Sequence, residues 1–395
     1  MKKNLIVGQS GGPSAAINAT LAGVIAAAQQ DERIGNIYGS RHGIEGVIHD
    51  RVIDLTDFQE FQKLKATPAM ALGSCRCKLP HDLSAQVYQT IDDILKKYNI
   101  GYFLYIGGND SMDTVSKLSK FYEGKTDAPK MIGLPKTIDN DLAGTDHTPG
   151  YGSAAKYLAV TMDELIRDTA IYAVKSVTIV EIMGRHAGWL TLAAALPKLL
   201  GGQKPDIIAI PEVPFSETAF IAQVREKMKI TDNIVVAVSE GIRDEQGEYV
   251  GSSAKSGAID NFGHAYLSGV GKHLELLVKN EIGCKVRSIE LNLMQRCSSH
   301  LGSLVDIEES FSIGEFGVKA ALAGETGRMV AVKREQDEPY SVSMHTVEIE
   351  NVANLERLVP PKWFDLEDQR VQREICQYIL PLIQGDVSRF QNAYG

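Results

Sequence analysis

The feature that most constrains this chain is a repeated local pattern: a short apolar run, a stop at glycine, then a stretch with helical spacing. Residues 4–8 are the first such run, and residues 14–30, rich in Ala, Leu and Ile, carry the helix that follows. The pattern recurs. Residues 102–108, 131–135, 176–182, 206–212 and 233–241 read as strands, and residues 91–98, 111–122, 153–167 and 218–228 as helices. Alternation of this kind predicts parallel sheets covered on both faces by helices. In such sheets ligands settle beyond the carboxyl ends of the strands, beside the points where strand order reverses. The residues capable of chemistry cluster just after the strands. The tail from about residue 351 has a helical look, broken by Pro360-Pro361, and no function can be derived for it.

Composition narrows the class of partner. With 395 residues the chain can bury two or three ordinary cores. Lys and Arg total 41 against 50 Asp and Glu, a net charge of −9, which disfavours a nucleic-acid partner but leaves room for a locally basic pocket. The five cysteines are scattered, and the Cys75-x-Cys77 pair lacks the second pair a zinc site needs; both points fit a reducing cytoplasm. The Leu5–Val7 run is too short for a secretory leader, and no apolar stretch approaches the ~20 residues of a membrane span. A cytoplasmic protein with no membrane contact is expected.

Four segments carry candidate chemistry. Gly8-Gln9-Ser10-Gly11-Gly12-Pro13-Ser14 reads either as a tight turn that needs glycine or as a loop whose backbone can approach an anion at a helix N-terminus. Gly107-Gly108-Asn109-Asp110-Ser111 repeats the geometry, with helix capping as the simpler reading. Pro135-Lys136-Thr137-Ile138-Asp139-Asn140-Asp141 is either a polar loop with capping acids or a site where one carboxylate takes a proton and another holds a metal. Glu181 to Gly188 (EIMGRHAG) and Glu240-Gly241 follow two further strands; Arg185 suits phosphate as well as it suits a surface ion pair. Arg287 and Arg296 are, on their own, no more than two cations.

Taken in order, these segments resemble the phosphofructokinase family over residues 6–327, the TIDND and MGRHAG segments being the specific ones. The resemblance implies a fold of two doubly wound α/β domains with mostly parallel sheets and the active site in the cleft between them. The expected division is 1–152 plus about 295–345 for the phosphoryl donor, and 153–294 plus about 346–395, with a helical C-terminal extension, for the sugar phosphate. It implies that Gly11, Gly12 and Arg76 meet the donor, that Asp139 accepts the proton of the sugar 1-hydroxyl, and that Thr137 and Asp141 position the transferred group and Mg2+. An exposed aspartate is ionised at neutral pH, which suits Asp139 to that role. Met183, Gly184, Arg185, Glu240 and Arg296 match the sugar-phosphate segment. Arg287 matches an arginine supplied across a subunit interface, which implies a homodimer or larger homo-oligomer.

Two positions bear on the donor. ATP-using members resemble GGDGS and PGTIDND, with glycines where this chain has Asp110 and Lys136; members that use pyrophosphate carry an aspartate and a lysine there. A carboxylate at Asp110 adds bulk and charge where an α-phosphate of ATP would lie, and Lys136 supplies a cation to the leaving phosphate. Pyrophosphate is therefore the expected donor and fructose 6-phosphate the expected acceptor, in a reversible reaction. The chain also departs from the family. Asn109 stands where many members have a metal-binding acid, so the expected metal set is Asn109, Asp110 and Asp141. Leu293 replaces a frequent histidine, and Lys175 or Ser176 an interface arginine, which makes sedoheptulose 7-phosphate a second acceptor to consider. An ATP-dependent enzyme and a non-catalytic sugar-phosphate-binding regulator are the alternatives.

Overall fold

A computed structural model describes residues 2–251 and 269–387. Its strands are β1 (Lys3–Gln9), β2 (Ile34–Ser40), β3 (Val52–Asp54), β4 (Ile100–Gly107), β5 (Lys130–Pro135), β6 (Ser176–Ile182), β7 (Ile207–Ala209), β8 (Asn233–Ser239), β9 (Lys285–Glu290), β10 (Arg328–Asp337) and β11 (Tyr340–Glu348). They form two sheets, ordered β11-β10-β5-β4-β1-β2-β3 and β7-β8-β6-β9. The smaller sheet is parallel throughout. The larger is parallel at its centre and closes with an antiparallel strand at each edge. The α/β class expected from the alternation is the one observed.

Central strands are apolar on both faces because helices cover both. Leu5, Ile6 and Val7 of β1 are fully buried, as are Val235, Val236, Ala237 and Val238 of β8. In the larger sheet the chain lays β2 on one side of β1 and returns to lay β4 on the other, so the order reverses between β1 and β4. The turns after these two strands are the glycine loop and the Gly107-Gly108 segment, brought side by side by the reversal.

The glycine loop is anchored from below by helix crossing. The Ile17–Gln29 helix packs on the Leu304–Leu322 helix at two glycines. A Cβ on Gly23 would lie 2.0 Å from Phe311 O, and one on Gly314 2.2 Å from Thr20 O, so only glycine lets the backbones approach this closely. The first of these helices begins at Ile17, later than the sequence pattern suggests, because Ser14 Oγ accepts from Ala16 N and Ile17 N and ends the loop locally. The Tyr151–Ala170 helix has no cap of its own. Asp306, from the Leu304–Leu322 helix, supplies it, accepting from Gly150 N (2.9 Å), Ser153 N (3.0 Å) and Ser153 Oγ (2.6 Å).

The tail forms the Gln369–Ile379 helix. Val371, Ile375, Tyr378 and Ile379, spaced on one face, pack with Trp189, Leu196 and Trp363 into the core under β6 and β8. Strand 206–212 of the sequence reading shrinks to Ile207–Ala209, since Pro211 has no N–H for a ladder.

Candidate active site

A cleft of about 410 Å³ opens where the ends of the two sheets face each other. Of the residues singled out from sequence, Gly11, Gly12, Arg76, Asn109, Asp110, Lys136, Thr137, Asp139, Asp141, Met183, Arg185, Glu240 and Arg296 line it. Gly184 lies behind the wall, where its carbonyl accepts from Ser239 Oγ. Arg287 is not in the cleft. It is exposed on edge strand β9 and borders a separate depression with Tyr172, Ser176 and Lys285.

The wall from the larger sheet is built mainly of backbone. Gly11 has φ +79° and its carbonyl accepts from Ser74 Oγ at 2.7 Å. Buried Lys136 lies across the loop, its ammonium 2.6 Å from Gly12 O. A Cβ on Gly11 would be 3.3 Å from Lys136 Nζ, and one on Gly12 3.3 Å from an Arg296 guanidinium nitrogen, so the loop is a floor on which two cations rest. Thr137 Oγ1 accepts from Asp139 N at 3.1 Å and fixes the start of the next turn. Asp110, in the first turn of the Asn109–Tyr122 helix, pairs with Lys78 at 3.2 Å.

The opposite wall presents side chains. Met183 follows β6, and its N–H is held by the buried Gln295 (3.2 Å). Glu240 follows β8, tied to β6 through Glu240 N and Ile182 O at 2.8 Å. Arg185 and Arg296 enter from this side. The Nε of each is buried and has no hydrogen-bond partner among the described residues. A buried donor left unmatched is costly, and two guanidinium groups in this state beside one cleft fit an anionic ligand.

Electrostatics corrects one expectation. Asp139 is half-buried, not exposed. Loss of water, and then the charge of Asp141, push its pKa up to about 7 against the pull of Arg185 and Lys136. Its protonated form is therefore favoured more than in a free aspartate. Burial, and then Asp139, raise Glu240 to about 8. Burial lowers Lys136 to about 8, and also lowers Arg296. Asp141 is likewise raised by burial.

Asn109 has partners that the sequence did not show. Its Oδ1 accepts from Asn354 N (2.5 Å) and its Nδ2 donates to Leu355 O (2.8 Å). One amide meets a donor and an acceptor, which no carboxylate can do, and this clips the 354–356 segment onto the cleft wall. Its oxygen keeps a second lone pair that can still face a cation. Among the described residues no group of three or more His, Cys, Asp and Glu could hold a metal ion. Asp110 and Asp141 remain as hard oxygen donors in the cleft, a set that suits Mg2+ held by one or two carboxylates and substrate phosphates. Sequence reasoning missed Lys78, His186, Asn354 and Glu356, which also line the cleft. His186 stood in the MGRHAG segment; the others gave no local signal.

A family model described as phosphofructokinase matches residues 4–303. The chain is 37% identical over 396 residues to the pyrophosphate–fructose 6-phosphate 1-phosphotransferase of Halomonas elongata, covering 98% of this chain and 94% of that one. It is 40% identical to the protein of the same name from Xanthomonas campestris pv. campestris, covering 97% and 92%. A solved structure described as a pyrophosphate-dependent phosphofructokinase from Nitrosospira multiformis superposes with a TM-score of 0.85 at 32% identity, covering 98% and 93%. On sequence and on fold alike, this chain belongs to the phosphofructokinase family.

Proposed function

We propose that the protein transfers a phosphoryl group reversibly between pyrophosphate and the 1-hydroxyl of fructose 6-phosphate, giving fructose 1,6-bisphosphate and phosphate. The observation that carries the choice of donor is the position of Lys136, buried and bonded to Gly12 O on the floor of the glycine loop, with Asp110 at the same wall. A cation there neutralises the phosphate that leaves, and a carboxylate at Asp110 disfavours a third phosphate and its nucleoside. The names of the relatives agree.

Phosphoryl transfer needs positioning and dispersed charge more than covalent help. In this reading Asp139 accepts the proton of the 1-hydroxyl, and a pKa near 7 suits a base working at neutral pH. Arg185 stabilises charge on the transferring group. Arg296, Met183 and Glu240 hold the sugar phosphate, and Gly11, Gly12, Arg76 and Lys136 the donor. Asp141 and Asp110 would hold Mg2+ with the phosphate oxygens, and the ion would supply further neutralisation of phosphate charge when bound. Thr137 supports Asp139 N. We assign β1–β5, β10 and β11 with their helices to the donor domain, and β6–β9 with the tail to the sugar-phosphate domain; sheet membership supports that division. Arg287 would reach the cleft of a partner in a homodimer or larger assembly, a role its exposure allows. No helix among the described residues is long and apolar enough to cross a membrane, and we place the protein in the cytoplasm.

The test is an initial-rate assay with fructose 6-phosphate and Mg2+, pyrophosphate in one series and ATP in the other. Turnover with pyrophosphate alone is expected. Turnover with ATP alone would overturn the donor assignment while leaving the family chemistry in place. Silence with both would turn attention to sedoheptulose 7-phosphate and then to binding without turnover.

A further inference from the structure

Asn140 sits between the two acidic residues of the cleft and points away from it. It is fully buried and has φ +57°, a left-handed conformation that asparagine tolerates better than most residues. Its Nδ2 donates to Tyr378 Oη at 2.7 Å, and its Oδ1 accepts from Thr148 N at 3.1 Å. Tyr378 belongs to the tail helix, and its hydroxyl in turn donates to Asp146 O at 2.8 Å. Both ends of the 140–146 turn therefore converge on one oxygen.

A third segment completes the arrangement. Arg357 N donates to Asp141 O at 2.7 Å, and the Arg357 guanidinium reaches Asn140 O (3.3 Å) and Tyr378 Oη (3.2 Å). The same guanidinium lies 4.1 Å from the Trp189 ring centre, while Trp189 Nε1 donates to Arg357 O at 2.9 Å. Trp189 also packs on Tyr378, with ring centres 5.4 Å apart. A buried, satisfied network of this kind holds one backbone geometry more firmly than its separate bonds would.

We propose that Tyr378 of the C-terminal helix is a positioning residue for catalysis. Its hydroxyl, with Arg357, clamps Asn140 and so sets the directions in which Asp139 and Asp141 enter the cleft. The tail then has a role beyond covering a core: it fixes the reacting carboxylates from behind without touching substrate. The proposal rests on the reading of Asp139 as the base.

Tyr378→Phe keeps the ring and its packing but removes the hub oxygen. The expected result is a fall of about 10- to 100-fold in kcat, the scale of a small misplacement of a reacting group, with KM for fructose 6-phosphate within about twofold. Asn140→Gly cuts the same bond from its other end without straining the positive φ, and carries the test if Tyr378→Phe does not fold. The doubly substituted protein should lose no more than the worse single variant. A kcat within about twofold of wild type in folded Tyr378→Phe, or single losses that multiply in the double variant, would overturn the proposal. Asp139→Asn with full turnover would overturn the base assignment alone, leaving the clamp to be judged by the first two variants.

Discussion

The two walls of the cleft are built on opposite plans. The wall from the larger sheet is complete in itself: the glycine loop is bonded to Ser74, Lys136 is bonded to Gly12 O, and Asp110 is paired with Lys78. The wall from the smaller sheet is left open, with Arg185 Nε and Arg296 Nε buried and unmatched among the described residues. A self-satisfied wall presents a fixed shape, which suits a small symmetric anion. An unsatisfied one gains most when an anion arrives, which suits a wall that must choose among sugar phosphates. Asp139 lies between them, and its pKa near 7 reflects the same burial that leaves the arginines unmatched.

The strongest way to break this comparison is to remove the group between the walls. Asp139→Asn should lower kcat by about 10²- to 10⁴-fold with KM for fructose 6-phosphate changed little, since a general base contributes on that scale. Steady-state kinetics showing near-normal turnover would defeat the assignment. The next effect sharpens the contrast itself. Arg296→Lys keeps the charge but loses the fork, and should raise KM for the sugar phosphate by about 10- to 100-fold, from the roughly 1.5–3 kcal/mol of a charge-assisted hydrogen bond; an unchanged KM would mean that the open wall is not the sugar wall.

A third expectation concerns pH. A base whose pKa is raised to about 7 is protonated below that pH, and a lysine lowered to about 8 loses its charge above it. Turnover of the free enzyme, measured as kcat/KM, should therefore fall about tenfold per pH unit below 7 and decline again above 8. Lys136→Met should remove the alkaline limb and move the acid limb to higher pH, because the cation that holds Asp139 down is gone. An alkaline limb that survives in that variant would show that Lys136 is not its source. The smallest effect is on the donor wall: Asp110→Gly should admit weak turnover with ATP, detectable by coupled assay, and no gain at all would refute the steric and charge argument for pyrophosphate.

Much of this was legible in the sequence, for reasons that can be named. A strand buried on both faces is written as a mainly apolar run, so β1, β4, β6 and β8 could be read directly. The loops after them carried the cleft residues in contiguous segments. What could not be read depended on distant neighbours. The glycines of β2 and the alternating KVRSIE of β9 hid both strands until their partners were known. Asp139 seemed exposed because nothing local shows how deeply the cleft is walled. The clip that Asn109 makes on the 354–356 segment gave no signal because its partners lie about 245 residues away, at Asn354 and Leu355. Gln295, Arg357 and Tyr378 gave no signal at all, since each acts by a hydrogen bond to a segment far along the chain.

The bond between Asn140 and Tyr378 spans 238 residues. On a ribosome adding about 5–20 residues per second, that separation corresponds to roughly 12–48 s between the emergence of the two groups. All the strands of both sheets precede Tyr378 in the chain, so a nascent protein can assemble both walls before the catalytic turn has its clamp. A chain truncated just short of the tail helix would then lack both the clamp on its two acids and the apolar face that this helix packs under β6 and β8.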